Sequence, residues 1–132
     1  MKKNKIFDKN STLAVIGVSK DQNKFGYKVY KTLIHNGYNA FPINPKYQEI
    51  EGKPCYKNIK TLPQAPELVI TVVPPIITQE VVKEANRLDI KNIWMQPGSE
   101  SKEAIEYCKT NSINITHNKC IIVDEFKLDF FK

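Results

Sequence analysis

Short apolar runs alternate with amphipathic segments along this chain. Residues 13–18 form an apolar run that contains one glycine, and their β-branched side chains are typical of a strand buried on both faces. From Phe25 to His35, apolar residues recur every three or four positions, which predicts one face of a helix. Asn36-Gly37 then supplies a helix stop. The chain therefore begins with a strand, a loop and a helix.

The same order repeats in the rest of the chain. We predict strands over 39–45, 68–73 and 92–96, a helix that opens at Pro74-Pro75 and carries apolar residues to Leu88, and a helix over about 100–110. Residues 46–66 are expected to be a connector. Residues 114–116 and 120–123 are weaker strand candidates. A C-terminal segment is expected to dock on the core through Phe126, Leu128, Phe130 and Phe131.

Strands that alternate with helices predict one fold class. Such strands lie parallel, are joined by right-handed crossovers and carry helices on both faces of the sheet. We therefore expect an α/β fold of the Rossmann-like, doubly wound type, with a mainly parallel five-stranded sheet. A single domain over 1–132 is expected, with residues 1–10 as a partly ordered extension.

Composition narrows the class of protein. Hydrophobic residues make up 41% and charged residues 26% of the chain, which is ordinary for a globular protein. We find neither a run long enough to span a bilayer nor an apolar segment behind the basic N-terminus, so we expect no membrane association and a cytoplasmic location. Cys55, Cys108 and Cys120 are far apart and are interpreted as free thiols, and no metal site is predicted.

A net charge of +6 raises the question of a nucleic-acid partner. The lysines are spread along the chain among acidic residues, and Arg87 is the only arginine, so nucleic acid is an unlikely partner. A moderate positive field also suits a polyanionic small molecule. Charge alone does not separate these alternatives.

A ligand of an open parallel sheet binds outside the carboxyl ends of the strands. The sequence places four loops there: Gly17-Val18-Ser19-Lys20, Asn44-Pro45-Lys46, Val73-Pro74-Pro75 and Gln96-Pro97-Gly98. The predicted first helix opens with Lys24-Phe25-Gly26-Tyr27, whose N–H groups and positive dipole end attract phosphates. Viewed alone, Gly17 fits a tight turn equally well.

The first two loops also bear on the choice of nucleotide. Dinucleotide folds for NAD usually carry GxGxxG and an acidic residue after the second strand, and both are missing here. Lys46 follows the second strand instead, and a lysine suits a phosphate on the ribose better than a bare diol. NADP and coenzyme A (CoA) remain open as cofactors.

Several short segments occur together in an order that resembles a known family. They are Val15-Ile16-Gly17-Val18-Ser19, Phe25-Gly26-Tyr27-Lys28-Val29, Gly37-Tyr38, Ile43-Asn44-Pro45-Lys46, Glu49-Ile50-Glu51-Gly52 with Cys55-Tyr56, Val72-Val73-Pro74-Pro75, Trp94-Met95-Gln96-Pro97-Gly98 and Asn118-Lys119-Cys120-Ile121. Over about residues 11–125 the chain resembles the CoA-binding domain family, small proteins similar to the nucleotide-binding domain of the succinyl-CoA synthetase alpha subunit. The resemblance implies a Rossmann-like fold that holds CoA across the strand ends.

The resemblance also implies roles for individual residues. Gly17, Ser19, Lys24 and Gly26 would lie against the diphosphate, and Asn44, Pro45 and Lys46 would flank the adenosine and its 3′-phosphate. Val73 and Pro74 would wall the adenine or pantetheine, and Gln96 and Gly98 would border the far end of the channel. Family members often carry arginine where Lys24 and Lys119 stand, and lysine lacks the bidentate fork. The resemblance covers only the synthetase's nucleotide-binding domain, so we do not expect its ligase activity to transfer to this chain alone.

Candidate catalytic groups are few. His35 precedes the helix stop, away from the proposed site. His117 follows a weak strand, either on the ligand side of the sheet or as a plain loop histidine. Cys120 is expected to pack, with disulfide exchange with CoA as the alternative, and Asp124 and Glu125 would point to opposite faces of a strand.

We therefore expect no catalytic residues and a protein that binds CoA, an acyl-CoA or a CoA disulfide. The alternatives are an NADP-dependent oxidoreductase, an acyl-CoA-processing enzyme, and a module that binds a partner protein or nucleic acid. A homodimer, with Trp94 as a contact, stays open.

Overall fold

The computed structural model describes residues 8–126, and predictions for residues 1–7 and 127–132 lie outside the described part of the chain. In chain order its elements are β1 (Thr12–Ile16), α1 (Phe25–His35), β2 (Asn39–Ile43), β3 (Glu49–Ile50), β4 (Lys53–Pro54), β5 (Leu68–Thr71), α2 (Pro75–Arg87), β6 (Asn92–Met95), α3 (Lys102–Thr110) and β7 (Asn114–Thr116). A 3₁₀ turn at Ile59–Thr61 precedes β5, and a π-helical turn at Ile121–Glu125 follows β7.

The main sheet has five strands in the order β2-β1-β5-β6-β7, and every neighbouring pair is parallel. The strand order reverses between β1 and β5, since the chain passes from β1 outward to β2 and then returns to the other side of β1. This reversal is the switch point at which doubly wound sheets bind ligands. The expected α/β class and the five-stranded parallel sheet are confirmed.

The two faces of the sheet are covered by different helices. Side chains alternate between the faces along each strand, so Leu13 and Val15 belong to the core beneath α1, whereas Ala14 and Ile16 belong to the core beneath α2 and α3. The π-helical turn completes the first core with Ile121 and Ile122, both buried. Strands covered on both faces need continuous apolar runs, which is what the sequence of β1 shows.

The structure adds detail to one prediction and corrects another. Within the predicted connector, β3 and β4 pair as an antiparallel hairpin whose Ile50 is fully buried. The prediction of a strand over 120–123 is wrong: the chain forms the π-helical turn there and buries Ile121 and Ile122 against the α1 face of the sheet. The predicted contacts of Leu128, Phe130 and Phe131 lie outside the described residues, whereas Phe126 packs edge-on against Tyr38, with 5.6 Å between the ring centres.

None of the helices in the described part of the chain is both long enough and apolar enough to span a bilayer.

Candidate functional site at the carboxyl ends of the strands

Two glycines bring three segments into contact at the switch point. Gly17 follows β1 with a φ of +100°, and a Cβ there would collide with the carbonyl of Val72 in the loop after β5. A Cβ on Gly26, in the first turn of α1, would collide with the carbonyl oxygen of Gly17. Only glycine permits this spacing. The start of α1 therefore lies directly on the loop after β1, as the phosphate-loop prediction requires.

Helix α1 begins without a capping side chain in the described structure, and its first turn holds no acidic residue. Helix α2 also begins uncapped, with Pro74 and Pro75 at its start, whereas the Ser101 hydroxyl caps α3 by accepting from the Ala104 N–H at 3.0 Å. Unpaired first-turn N–H groups carry partial positive charge and bind anions. The start of α1 is thus open to an anion. Helix α2 offers fewer N–H groups, because Pro74 and Pro75 have none and the Ile77 N–H donates to the Pro74 carbonyl at 2.9 Å.

The loop that enters α1 is shaped by its own short polar side chains. The Ser19 hydroxyl accepts from the Asp21 N–H at 2.9 Å, and the Asp21 carboxylate accepts from the Asn23 N–H at 2.9 Å. The Ser19 hydroxyl, which the resemblance places against a diphosphate, is therefore already a hydrogen-bond acceptor within this turn. Val18 is buried in the core beneath this loop, while Lys24 is exposed at the helix start.

Lys20 does not point freely into the site. Its ammonium group lies 3.1 Å from the Glu49 carboxylate in the β3–β4 hairpin and 5.3 Å from the centre of the Tyr47 ring. The Gly52 backbone N–H and this lysine together hold the pKa of Glu49 below its usual value. Of the two lysines predicted in the first loop, only Lys24 lacks an ion pair among the described residues.

A second acidic residue of the hairpin fastens it to α1. The Glu51 carboxylate accepts from Lys31 Nζ and from the Tyr27 hydroxyl, both at 2.7 Å. These two hydrogen bonds hold the pKa of Glu51 below its usual value, and the same contacts raise the pKa of Tyr27 and of Lys31. Tyr27 therefore faces the hairpin in this structure, although the sequence predicted it as a ligand residue.

The end of β2 is tied to its neighbours by Asn44. Its side-chain amide donates to the Val18 carbonyl at 2.9 Å, and its side-chain carbonyl accepts from the Lys46 N–H at 2.9 Å. Its backbone N–H donates to the Tyr56 carbonyl, and Tyr56 pairs with Ile43, the last residue of β2, in an isolated parallel bridge. Asn44 thus sets the shape of the loop, and it leaves Lys46 exposed at the edge of the sheet.

A groove of about 510 Å³, here called the β2 groove, opens between this loop and α2. Its walls include Gly17, Pro45, Lys46, Lys57, Ile59, Val73, Pro74, Ile77, Val81 and Glu84. Lys57 is a residue that sequence reasoning missed. Because Tyr56 pairs with β2, its neighbour Lys57 lies beside the same loop as Lys46, although eleven positions separate the two in sequence. Only the sheet contact reveals this proximity.

Two further cavities continue from the β2 groove along the strand ends. The central pocket, about 240 Å³, shares Val73 and Pro74 with the groove and is also lined by Val72, Pro97, Gly98 and Ser99. The Cys120 pocket, about 170 Å³, shares Val72 and Pro97 with the central pocket and is closed by Phe25, Gln96, Cys120 and Val123. The three cavities therefore follow one another from the end of β2 to the end of β6, past the start of α1.

Gln96 lies at the end of β6 with only 3% of its surface exposed. Its side-chain carbonyl accepts from Trp94 Nε1 at 3.0 Å and from the Ile121 N–H at 2.7 Å, and its amide nitrogen lies 3.4 Å from the Cys120 sulfur. Gln96 thus joins the end of β6 to the π-helical turn and forms only part of a cavity wall. Trp94 is 1% exposed within the core, so the suggestion that Trp94 forms a homodimer contact is wrong.

The candidate catalytic groups are scattered. His35 is the last residue of α1, which places it at the opposite edge of the sheet from the strand ends. His117 follows β7, and its Nδ1 atom is buried with no hydrogen-bond partner in the described structure. The Asp124 carboxylate accepts from the Cys120 N–H at 2.7 Å. Within residues 8–126, no three His, Cys, Asp or Glu side chains come together as a metal site would require.

Comparison with known proteins places this geometry in a family. Residues 11–125 match the family described as the CoA binding domain. A curated ADP-forming acetate–CoA ligase of Methanocaldococcus jannaschii is 38% identical over 80 residues, which are 61% of this chain and 11% of the ligase. The alpha subunit of the ADP-forming acetate–CoA ligase II of Pyrococcus furiosus is 28% identical over 120 residues, which cover 83% of this chain and 26% of the subunit. The chain thus spans a small part of these ligases.

A solved structure resembles the chain over nearly its whole length. It is a conserved hypothetical protein from Pyrococcus furiosus, 35% identical, with a TM-score of 0.82 over 86% of this chain and 98% of that one. The fold expected from the sequence is therefore found in a relative of similar extent. Because the family match runs through the switch-point loops and covers residues 11–125, the chain belongs to the CoA-binding domain family.

Proposed function

We propose that this chain binds CoA, as the free thiol, an acyl thioester or a disulfide, across the carboxyl ends of its strands and without catalysis of its own. Membership of the family supports the ligand class. The single observation that carries the proposal is the uncapped start of α1, which the Gly17–Gly26 contact presses against the switch point. An anion bound there would meet backbone N–H groups, the helix dipole and the exposed Lys24.

The order of the cavities suits an extended CoA molecule. The β2 groove is largely apolar with lysines at one edge, which fits an adenosine that carries a 3′-phosphate at Lys46. The diphosphate would lie at the start of α1, and the pantetheine would follow the central pocket past Val73, Pro74 and Pro97. Pro75 would contribute through the opening of α2, and Gly98 through the far wall of the central pocket.

The absence of catalysis is part of the proposal. His35 lies at the opposite edge of the sheet and supplies no base at the strand ends. His117 follows the carboxyl end of β7 and is the residue to replace if turnover of an acyl-CoA were observed. A partner protein is proposed as well, since one relative is named as an alpha subunit and the chain corresponds to 26% of it. A homodimer and the cytoplasmic location expected from the sequence also stay predictions.

Calorimetry with CoA tests the proposal. We expect saturable binding that weakens with salt, a weaker affinity for 3′-dephospho-CoA, and about a tenfold loss of CoA affinity in Lys46→Glu, since a repulsive charge replaces an attractive one near the ribose phosphate. The matched control is Lys109→Glu, an exposed lysine in the last turn of α3 at the opposite edge of the sheet. Absence of heat with millimolar CoA would reject the proposal, as would an equal loss in both variants.

NADPH is the second candidate ligand. Lys46 and Lys57 both border the β2 groove without a described ion pair, and two lysines would accept a 2′-phosphate as readily as a 3′-phosphate. The same titration with NADPH separates the two. Saturable binding of NADPH without binding of CoA would replace our proposal by an NADP-dependent protein.

A further inference from the structure

The Cys120 pocket lies at the opposite end of the cavity series from Lys46 and Lys57 of the β2 groove. It is walled by Phe25, Val72, Pro97 and Val123, with Gln96 and Cys120 as its polar residues. Those polar groups already bond within the protein, because the Gln96 carbonyl accepts two hydrogen bonds and its amide meets the Cys120 sulfur. The pocket therefore presents a mainly apolar surface to a ligand, because its polar groups already form hydrogen bonds within the protein.

Two side chains of this pocket are large, apolar and unusually exposed. Phe25 is 42% and Val123 is 44% exposed, although each stands next to a buried core. Because both side chains border the same cavity, they form one apolar surface that a ligand in the cavity can cover. An apolar group bound between Phe25 and Val123 would remove both side chains from water, which is energetically favourable.

The volume of the pocket sets the size of that group. An apolar cavity of about 150 Å³ holds a benzene molecule, which has six carbon atoms. The Cys120 pocket, at about 170 Å³, is of the same size. A group of about four to six carbons would fill it, a two-carbon group would leave it partly empty, and a longer chain would extend into solvent.

The polarity of the whole site matches this assignment. Lys46 and Lys57 border the β2 groove at one end, and the apolar Cys120 pocket lies at the other end. The start of α1 lies between them, and its first residue, Phe25, is also a wall of the Cys120 pocket. A short-chain acyl-CoA has the same sequence of charges, with a phosphorylated adenosine, a diphosphate, a pantetheine and an apolar acyl group. Resting on the proposed function, we propose that the Cys120 pocket binds the acyl group of an acyl-CoA with about four to six acyl carbons.

A chain-length series tests this proposal on the unaltered protein. Dissociation constants are measured by calorimetry for CoA and for acetyl-, butyryl-, hexanoyl- and dodecanoyl-CoA. Each methylene that enters the pocket should raise the affinity by up to about fourfold. We expect the affinity to rise from acetyl- to hexanoyl-CoA and then to remain level to dodecanoyl-CoA.

A pair of variants locates the effect. Val123→Trp should fill the mouth of the pocket and abolish the advantage of hexanoyl-CoA over CoA while leaving CoA binding within about twofold. Leu88→Trp is the control, since Leu88 is similarly exposed, at 37%, beyond the end of α2. The control should keep the full chain-length dependence.

The outcomes separate this inference from the proposed function. Binding of CoA with no gain from any acyl group would overturn the inference and leave the proposed function standing. An affinity that keeps rising to dodecanoyl-CoA would also overturn it, because a bounded pocket saturates. Failure of CoA and of every acyl-CoA to bind would instead overturn the proposed function.

Discussion

Replacing Gln96 with methionine removes a buried hydrogen-bonding centre while keeping the side chain's length and approximate volume. In the folded protein the Gln96 carbonyl accepts from the Ile121 N–H at 2.7 Å and from Trp94 Nε1 at 3.0 Å. Trp94 Nε1 would keep the Lys119 carbonyl, 3.1 Å away. The Ile121 N–H would lose its acceptor in a fully buried position. The loss of stability therefore comes mainly from the backbone N–H of Ile121.

The magnitude follows from that orphaned donor. A buried N–H without a partner costs about 1–3 kcal/mol, so we expect the free energy of unfolding to fall by about 2 kcal/mol. This change corresponds to a roughly 30-fold larger unfolding constant. The effect should be structural, because Gln96 ties β6 to the π-helical turn, and CoA affinity should change much less than stability.

Urea unfolding measures this change. Trp94 is the only tryptophan and is 1% exposed, so its fluorescence reports the loss of the core, with far-UV circular dichroism as a second probe. Gln79→Met is the matched control: Gln79 on α2 is partly exposed, and its side-chain amide donates to the Ser101 hydroxyl at 3.3 Å. Equal unfolding free energies in the two variants would refute the structural role of Gln96. Unchanged stability with lost CoA binding would instead identify Gln96 as a ligand residue.

Three further predictions follow from the same structure. Gly26→Ala should destabilise the protein in urea by about 1–3 kcal/mol, because the new methyl group would overlap the Gly17 carbonyl, and a variant as stable as the wild type would contradict this close contact. The stabilisation lost in Glu51→Gln should be present in full above the ordinary glutamate pKa of about 4.3, because the hydrogen bond from Lys31 lowers the folded-state pKa of Glu51. It should shrink as the pH falls through that lowered pKa, and a difference between variant and wild type that does not shrink on acidification would contradict this. The Cys108 thiol should resist thiol reagents at pH 8 until the protein is denatured, since burial raises its pKa to about 11, and rapid labelling of the native protein would show otherwise.

Much of the architecture could be predicted from local patterns. The apolar run before Gly17 and the three-to-four spacing after Phe25 correspond to β1 and α1, whose bounds are Thr12–Ile16 and Phe25–His35. Such periodicities arise because a strand or helix exposes neighbouring residues to fixed faces. The π-helical turn was not predicted, because a short apolar run such as 120–123 shows no periodicity and fits a strand or a buried turn equally well.

The candidate site was predicted only in outline. The sequence located the four loops, but it did not show that Lys20 pairs with Glu49, that Tyr27 bonds to Glu51, or that Gln96 turns inward. It also missed Lys57, which reaches the site only through the pairing of Tyr56 with β2. Each of these contacts joins residues that are distant in sequence.

The sequence by itself determined the alternation of buried strands and amphipathic helices, the glycines of the first loop and the positive charge of the chain. The tertiary structure decided the strand order, which places the reversal between β1 and β5, and the partners of the charged and polar side chains around it. The physical reason is that backbone conformation follows from the local pattern of side chains. A side chain's partner, by contrast, depends on which distant segments the sheet brings within hydrogen-bonding distance, as with Gln96 and Ile121, 25 positions apart.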